Sequence, residues 1–412
     1  MKFQLLILLF LSFFKSFSQE KDLNYFLEKA QNNSPLIKDY SNQIKSATID
    51  SLVFRATQKP QLIGNLNANY SPVIAGFGYD TAISNGQSVT GLVGVNQKII
   101  GKNQINSQTE TFKIIKEALI VNKKVVVKDL NKAIITQYIT TSGNSEQLGY
   151  NQKMVTLLKE ESTILKKLTQ NSIYKQTDYL IFSATVKQQE MVLLQLKQQY
   201  QNDLALLNYL SGETDTTFVQ LKKPAITIKT GNSSDKIIFL KQFEIDSLKL
   251  QNQHKLIDNG YKPSLSLLAD AGYSSSFIYQ GYKNFGFSAG LGLTIPIYDG
   301  NQRTLLHQKN ETAIATNLAY KNNFNKQYQQ QLLMLNQQLK QIKSVENQLQ
   351  SQLTIADALI EANKKLLLTG DAQITEYIIA VGNLIAIKNA ITQNNTTKLQ
   401  IINEINYWSF NE

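Results

Sequence analysis

Two kinds of hydrophobic pattern follow one another along this chain of 412 residues. In the first, apolar residues recur at spacings of three and four, as in Leu23, Phe26, Leu27 and Ala30, which predicts a helix with one apolar face. In the second, apolar and polar residues alternate, which predicts a strand with one apolar and one polar face. The two patterns define a unit of helix, strand, strand, long helix, turn and helix, which occurs twice.

The alternating pattern predicts four strands, at about 61–76, 86–100, 264–279 and 284–298. The fourth is the clearest, because Phe285, Phe287 and Leu291 alternate with small or polar residues such as Gly286 and Ser288. Each run has about ten residues or more, which suits a tilted membrane-spanning strand. Aromatic residues near the strand ends are typical of a membrane interface. An ordinary sandwich or soluble barrel with aromatic edges is the alternative.

The helical pattern predicts two very long helices, at 102–171 and 301–369, and two shorter returning helices, at 177–210 and 374–407. The stretch from Asn301 to Thr369 contains neither Gly nor Pro, and about seventy helical residues would extend roughly 100 Å. Apolar residues at spacings of three and four, including Leu332, Leu335 and Leu339, predict a coiled-coil seam along it.

Short sequences repeat in the same order about two hundred residues apart. Lys59-Pro60-Gln61-Leu62 recurs in similar form as Lys262-Pro263-Ser264-Leu265. Thr177-Asp178-Tyr179-Leu180 likewise recurs as Thr375-Glu376-Tyr377-Ile378. We therefore predict a first structural repeat at 19–212, a connector at 213–235 and a second repeat at 236–412.

The N-terminus predicts export. Lys2, an apolar stretch from Leu5 to Phe14 and the small residues Ser16 and Ser18 indicate a signal peptide at 1–18, with a buried N-terminal helix as the alternative. No later run of about eighteen apolar residues follows, so any part of the mature chain that spans a bilayer must consist of strands.

Composition excludes several classes of function. The absence of cysteine rules out disulfides, thiolate metal sites and cysteine catalysis. The net charge of +11 comes from dispersed lysines, and with only Arg55 and Arg303 present we expect no nucleic-acid partner. His254 and His307 are the only histidines, and no nucleophile, phosphate-binding or metal motif occurs, so we expect neither an enzyme nor a cofactor.

Four strands are too few to close a membrane barrel, because the smallest such barrels have about eight. An open sheet edge in lipid leaves N–H and C=O groups unpaired, at a cost of several kcal/mol each. If the strands span a membrane, several chains must therefore share one barrel, and their long helices would project together as a tube.

The chain resembles outer-membrane efflux proteins of the TolC family over essentially its whole mature length. The resemblance is most specific at the strand-to-helix junction Leu293-Thr294-Ile295-Pro296-Ile297-Tyr298-Asp299-Gly300, and it extends to the helical turn from Leu368 through Gly370 to Glu376. It implies a mixed, mainly α fold and a homotrimer, with a shared twelve-stranded barrel in the outer membrane of a Gram-negative bacterium and an α-helical tunnel in the periplasm.

The resemblance also implies a function, that of the exit duct of a tripartite efflux or type I secretion system. Its partners would be a periplasmic adaptor, a proton-driven or ATP-driven inner-membrane pump and outer-membrane lipid. The alternative is a periplasmic coiled-coil adaptor or structural scaffold, which would need no strand pairs with a continuous apolar face. Polar tunnel walls suit passage without tight binding and do not identify the exported substrate.

Site residues are carried over from the resemblance position by position. Glu376 and Asp178 match acidic residues at the periplasmic constriction, and three Glu376 side chains would favour cations. The resemblance implies a second acidic ring at the position of Ile379 and a latching arginine at the position of Ala372. This chain has neither, so closure would differ, and Ile379 would form an apolar constriction instead. The alternative is that both acids simply begin helices, where the dipole favours them.

Two further groups of residues complete the expected site. Asn171, Gly370 and Asp371 lie at the hairpin tips, where an adaptor would bind, with Asn171 and Gly370 as the residues expected to adopt the left-handed conformation. Pro296, Asp299 and Gly300 form the expected strand-to-helix junction.

Overall fold

A computed structural model describes residues 21–215, 219, 221–229, 238–277, 280–371 and 373–409. The predicted signal peptide at 1–18, Ala372 and parts of the connector lie outside the described residues. In chain order the elements are α1 (Leu23–Asn33), α2 (Pro35–Thr57), β1 (Gln61–Tyr70), α3 (Thr81–Ser84), β2 (Gln87–Ile99), α4 (Lys102–Gln170), α5 (Gln176–Leu210), α6 (Ile238–Gly260), β3 (Ser264–Ser275), a 3₁₀ turn (Gly281–Lys283), β4 (Phe285–Thr294), α7 (Gln302–Thr369) and α8 (Ile374–Ser409).

The described residues divide into two compact units. The first contains residues 21–38, 124–229 and 324–409, apart from the gaps given above. The second contains residues 39–123 and 238–323, again apart from the gaps, and includes all four strands. Each repeat therefore contributes to both units, because the long helices α4 and α7 pass from one unit to the other.

The second unit contains one antiparallel sheet in the order β1-β2-β3-β4. The two predicted strand pairs form as hairpins, and β2 pairs with β3 to join the two repeats into a single sheet. One row across it reads Ile63, Gly94, Asp270 and Ser288, which fixes the register of all four strands. β1 and β4, each of ten residues, are the edge strands.

The two faces of this sheet differ sharply. Paired residues share a face, so one face carries Leu62, Leu66, Val93, Val95, Leu265, Leu267, Phe287, Leu291 and Leu293. The other face carries Asn65, Asn67, Asn69, Thr90, Asn96, Lys98, Ser266, Asp270 and Ser288, with Ile63, Leu92 and Leu268 as apolar exceptions. The alternation predicted from the sequence is therefore present with the predicted polarity.

Three strands end earlier than the sequence predicts. β1 stops at Tyr70 rather than 76, because Ile74 and Phe77 exchange backbone hydrogen bonds of 2.9 and 3.0 Å around a turn. β3 stops at Ser275, and positions 278 and 279 of the predicted strand lie outside the described residues. β4 ends at Thr294 rather than 298, just before Pro296, which has no N–H to donate to a ladder.

The N-terminal helical segment, which begins with the spacing of Leu23, Phe26, Leu27 and Ala30, consists of two helices. Asp22 caps α1 by accepting the Tyr25 N–H at 3.0 Å. α1 ends at Asn33 and α2 begins at Pro35, because a residue that precedes proline is disfavoured in the helical conformation.

The first unit is held together by helix packing. Its largest buried cluster contains Leu158 and Leu165 of α4, Phe182 of α5, Ile360 of α7 and Tyr377 of α8. The rings of Phe182 and Tyr377 stack with centroids 6.1 Å apart and planes 5° from parallel. The predicted seam of α7 is only partly buried within the chain, because Leu335, Ala356 and Ile360 are buried whereas Val345 is 49% exposed.

One helix in the described part of the chain, α8, is long and apolar enough to cross a membrane, with a mean hydropathy of 1.3 in its most apolar window. The sequence predicts no such segment, so this prediction is wrong by length and composition. Val381, Leu384 and Ile385 of this helix pack in the buried cluster of the first unit. One side of α8 thus packs in the core, and 33% of its most apolar window is buried.

Candidate functional site

The first helical hairpin turns through a Schellman motif at the end of α4. The Ser172 N–H donates to the Thr169 carbonyl at 3.0 Å, and the Ile173 N–H donates to the Leu168 carbonyl at 3.0 Å. Ser172, with φ of 62°, is therefore the left-handed residue. The prediction that Asn171 takes this role is wrong, because the residue that makes this pair of bonds lies one position later.

The second hairpin turns in the same way at the end of α7. Gly370 has φ of 85°, as the sequence predicts, and the Asp371 N–H donates to the Leu366 carbonyl at 3.0 Å. This bond has the same spacing as the bond from Ile173 to Leu168. The two repeats therefore use one turn geometry, with serine in one tip and glycine in the other.

The structure brings the two tips together within one chain. The Tyr174 hydroxyl donates to the Leu367 carbonyl at 3.1 Å, and only 8% of Tyr174 is exposed. A Cβ atom added at Gly370 would lie 2.6 Å from Cγ2 of Ile173. Glycine at this position thus serves both the left-handed backbone and the close approach of the first tip.

The two predicted constriction acids have different surroundings. Asp178 lies half-buried in the first turn of α5, where its Oδ2 accepts the Lys175 N–H at 3.1 Å. Glu376 lies exposed in the first turn of α8. Ile379, three residues later, lies on the same helix face and is 62% exposed. The structure therefore places Glu376 and Ile379 together on an open surface and gives Asp178 a helix-capping contact.

An acidic residue beside this site, Glu161, is not among the residues predicted from the sequence. Glu161 is 2% exposed, and its two carboxylate oxygens have no hydrogen-bond partner among the described residues. The hydroxyl of Tyr377 lies beside it but does not reach hydrogen-bond geometry and is likewise unpaired there. Burial raises the pKa of Glu161, and Tyr377 and Lys364 only partly oppose that shift.

The pKa of the Tyr377 phenol is also raised. Burial is the largest cause of this shift, and the neighbouring Glu161 carboxylate is the next. The burial of Glu161 could have been predicted from its spacing. Glu161 lies seven residues after Met154, three after Leu158 and four before Leu165. These spacings put Glu161 on the apolar stripe of α4.

The strand-to-helix junction in the second unit is a helix cap. Asp299 accepts the Asn301 N–H at 3.0 Å through Oδ1 and the Arg303 N–H at 2.9 Å through Oδ2. Gly300 and Asn301 have φ of 64° and 66°. Pro296 precedes this cap and follows the end of β4. The Asp-Gly sequence therefore positions the start of α7.

Both histidines lie close to this junction and contact each other. Nδ1 of His254 and Nδ1 of His307 are 2.7 Å apart, and Nε2 of His307 is 3.0 Å from Oδ1 of Asp258. Asp258 also accepts from Arg303 at 2.7 Å, and this bond lowers the pKa of Asp258. Within the described ranges, no group of three or more His, Asp or Glu residues is arranged to hold a metal ion.

The fold is shared with solved outer-membrane proteins. VceC from Vibrio cholerae has 13% sequence identity and a TM-score of 0.75, covering 94% of this chain and 96% of its own. CusC, described in connection with transmembrane channel formation, has 12% identity and a TM-score of 0.76, with 95% and 92% covered. The Campylobacter jejuni CmeC outer membrane channel has 14% identity and a TM-score of 0.73, with 94% and 85% covered.

The sequence itself matches no protein-family model and no curated protein. The likeness thus lies in the fold, and it extends over nearly the whole of each chain. The fold is that of outer-membrane channel proteins. The resemblance to the TolC family that the sequence indicates is confirmed at this level, as is the mainly helical architecture with a small antiparallel sheet.

Proposed function

We propose that this protein is the outer-membrane exit duct of an efflux system in a Gram-negative bacterium. Its four strands would contribute to a barrel shared by three copies, and its helices would form a periplasmic tunnel. The fold shared with outer-membrane channels supports this proposal, and so does the distribution of polarity over the sheet.

The observation that carries the proposal is the uncovered apolar face of the sheet. Leu66 is 84% exposed, Phe287 is 88% exposed and Leu291 is 72% exposed. The two strand residues that are charged at neutral pH, Lys98 and Asp270, both lie on the opposite face. A charge on the lipid face of a barrel costs up to about 2–4 kcal/mol, so this distribution suits lipid on one side and water on the other.

The sheet edges support assembly of several copies. Within the described residues β1 and β4 are paired on one side only, and each is ten residues long. Pairing β4 of one copy with β1 of the next continues the antiparallel order and removes every edge from the lipid. Three copies would supply twelve strands, as the resemblance to the TolC family implies.

The periplasmic constriction is proposed at Glu376 and Ile379. Three exposed Glu376 carboxylates facing one narrow passage would attract cations, and three Ile379 side chains would form an apolar ring beside them. Asp178 would contribute by fixing the start of α5, because its carboxylate is engaged at Lys175. An adaptor bound to an inner-membrane pump would contact the tips around Asn171, Gly370 and Asp371.

The experiment that tests this proposal is single-channel recording of the detergent-purified protein in planar bilayers, with Glu376→Gln and Ile379→Asp beside the unmodified chain. We expect a pore whose cation-to-anion permeability ratio falls roughly five-fold in Glu376→Gln, because one charge pair at contact in water is worth about 1 kcal/mol. Ile379→Asp should raise the ratio. Asp371→Asn, an exposed tip carboxylate outside the proposed ring, is the matched control and should change little.

A periplasmic coiled-coil scaffold is the second candidate, favoured only by the extensive helices. A protein that stays soluble without detergent and forms no pore would support the scaffold and refute the channel. A pore that is indifferent to both tip variants would retain the channel and refute the constriction at Glu376.

A further inference from the structure

Asp270 is the only carboxylate in the four strands. The other strand residue charged at neutral pH is Lys98, and both lie on the polar face of the sheet. Asp270 lies in the middle of β3, away from the loops at either end. A charge at this position needs an explanation, because uncharged residues such as Asn and Ser fill most of the polar face.

The neighbours of Asp270 leave its charge uncompensated. Its cross-strand neighbours are Gly94 on β2 and Ser288 on β4, and the Ser288 hydroxyl donates to Oδ2 of Asp270 at 2.6 Å. Gly272 of β3 and Gly286 and Gly290 on the β4 side are close on this face, and so are the uncharged residues Leu268 of β3 and Leu92 and Asn96 on the β2 side. No ion pair with Asp270 occurs among the described residues. One neutral hydroxyl therefore orients the carboxylate without neutralising it.

Lys98 is too distant to neutralise Asp270. Lys98 is opposite Ser266, whereas Asp270 is opposite Gly94, so four residues of strand separate the two levels. At about 3.3 Å per residue this separation is about 13 Å, which exceeds the screening length of about 8 Å at physiological ionic strength. Each charge therefore acts on its own section of the water-facing surface.

We propose that Asp270 is a specificity-determining residue that makes the strand-built section of the pore favour cationic over anionic solutes. The proposal rests on the proposed function, because it requires the polar face to line a water-filled lumen. Three copies would place three Asp270 carboxylates at one level of the barrel. The glycines on the β4 side of each carboxylate leave room for a hydrated cation to approach it from that side.

The alternative is a purely structural role, in which Asp270 only links β3 to β4 through its hydrogen bond with Ser288. Asp270→Asn keeps an oxygen that accepts the Ser288 hydroxyl, so it removes the charge and retains this contact. Ser288→Ala removes the contact and retains the charge. If Asp270 acts by its charge, only Asp270→Asn changes ion selectivity.

The first measurement is the reversal potential under a KCl gradient at low ionic strength, in the unmodified chain and in a Glu376→Gln background. We expect Asp270→Asn to lower the cation-to-anion permeability ratio about two-fold in either background, less than a narrow constriction would, because a wide lumen is strongly screened. Lys98→Gln should raise the ratio. The Asp270→Asn effect should disappear near 1 M salt, where the screening length is about 3 Å.

The second measurement uses the absence of cysteine from the chain. Asp270→Cys would be the only thiol, and a sulfonate-bearing or a trimethylammonium-bearing methanethiosulfonate reagent would add a negative or a positive charge there. We expect modification of the inserted pore and shifts of the reversal potential in opposite directions. Ala271→Cys, the next residue on the apolar face, is the matched control and should not react in a bilayer.

The outcomes separate this inference from the proposed function. A pore whose selectivity is unchanged by Asp270→Asn at low salt in both backgrounds, or whose Asp270→Cys thiol does not react, overturns the inference and leaves the channel intact. Failure of every variant and of the unmodified chain to form a pore overturns the proposed function itself.

Discussion

The two helical hairpins of the first unit have the same turn but different environments. In the first, the buried Tyr174 is bonded to the second hairpin and Asp178 caps its own helix. In the second, the turn residue is glycine, and the repeat-equivalent acid, Glu376, is exposed. The two equivalent acids therefore differ in their surroundings, because the Asp178 carboxylate is bonded within its own helix turn and the Glu376 side chain is exposed.

The stack of Phe182 on Tyr377, both 0% exposed, joins the two hairpins. Phe182→Ala would leave a cavity between them, and we expect a loss of about 3–5 kcal/mol of stability. Hydrogen exchange of the hairpin amides and thermal unfolding in detergent would measure it. Phe182→Leu keeps most of the volume and should cost clearly less. Equal losses in the two variants would contradict a packing role.

Opposite substitutions at the two turn residues test how backbone conformation affects the stability of each tip. Gly370→Ala places a Cβ at positive φ and against Ile173, so we expect a loss of about 1–2 kcal/mol or more. Ser172→Gly relieves the same backbone conformation in the first tip and should be neutral or stabilising, by up to about 1 kcal/mol. Protease susceptibility of the tips would show both changes, and a stabilised Gly370→Ala would refute the proposed steric role.

Glu161 gives the pair of hairpins a pH dependence. Its pKa is raised in the folded state, so folded protein holds more protons than unfolded protein between the ordinary pKa of about 4.3 and the raised value. This contribution to stability is fully present below the ordinary pKa and is lost as pH rises through the raised pKa. The slope cannot exceed about 1.4 kcal/mol per pH unit for one proton.

Unfolding of Glu161→Gln over the same pH range is the test, with Glu160→Gln as the matched control. We expect the Glu161 variant to lose this fall in stability and the Glu160 variant to keep it. Lys364 and Glu160 act electrostatically on Glu161, Glu361 acts on Tyr377, and all three groups remain in the Glu161 variant. A pH profile unchanged by Glu161→Gln would show that the buried acid does not titrate in this range.

Local patterns predicted much of the fold and less of the site. The alternation in β4 and the position of Gly370 follow from neighbouring residues, and the structure has both. The pairing of β2 with β3 and the bond from Tyr174 to Leu367 join residues more than 160 positions apart, which no local pattern encodes. Ser172 was missed because its conformation follows from hydrogen bonds closing the turn. Glu161 was missed because an acid within a polar helix is ordinarily assigned to the surface.

The two unpaired sheet edges have a consequence for the life of a single copy. If several copies share one sheet, as proposed above, then β1 and β4 of a single copy present backbone groups that can pair with other extended chains, and such open edges lead to aggregation. Copies meet more slowly at low concentration, so the time that a single copy spends unassembled lengthens as expression falls. On the proposed assembly, the yield of assembled protein should therefore rise more steeply than in proportion to synthesis, and the single copy should be the form most exposed to proteases.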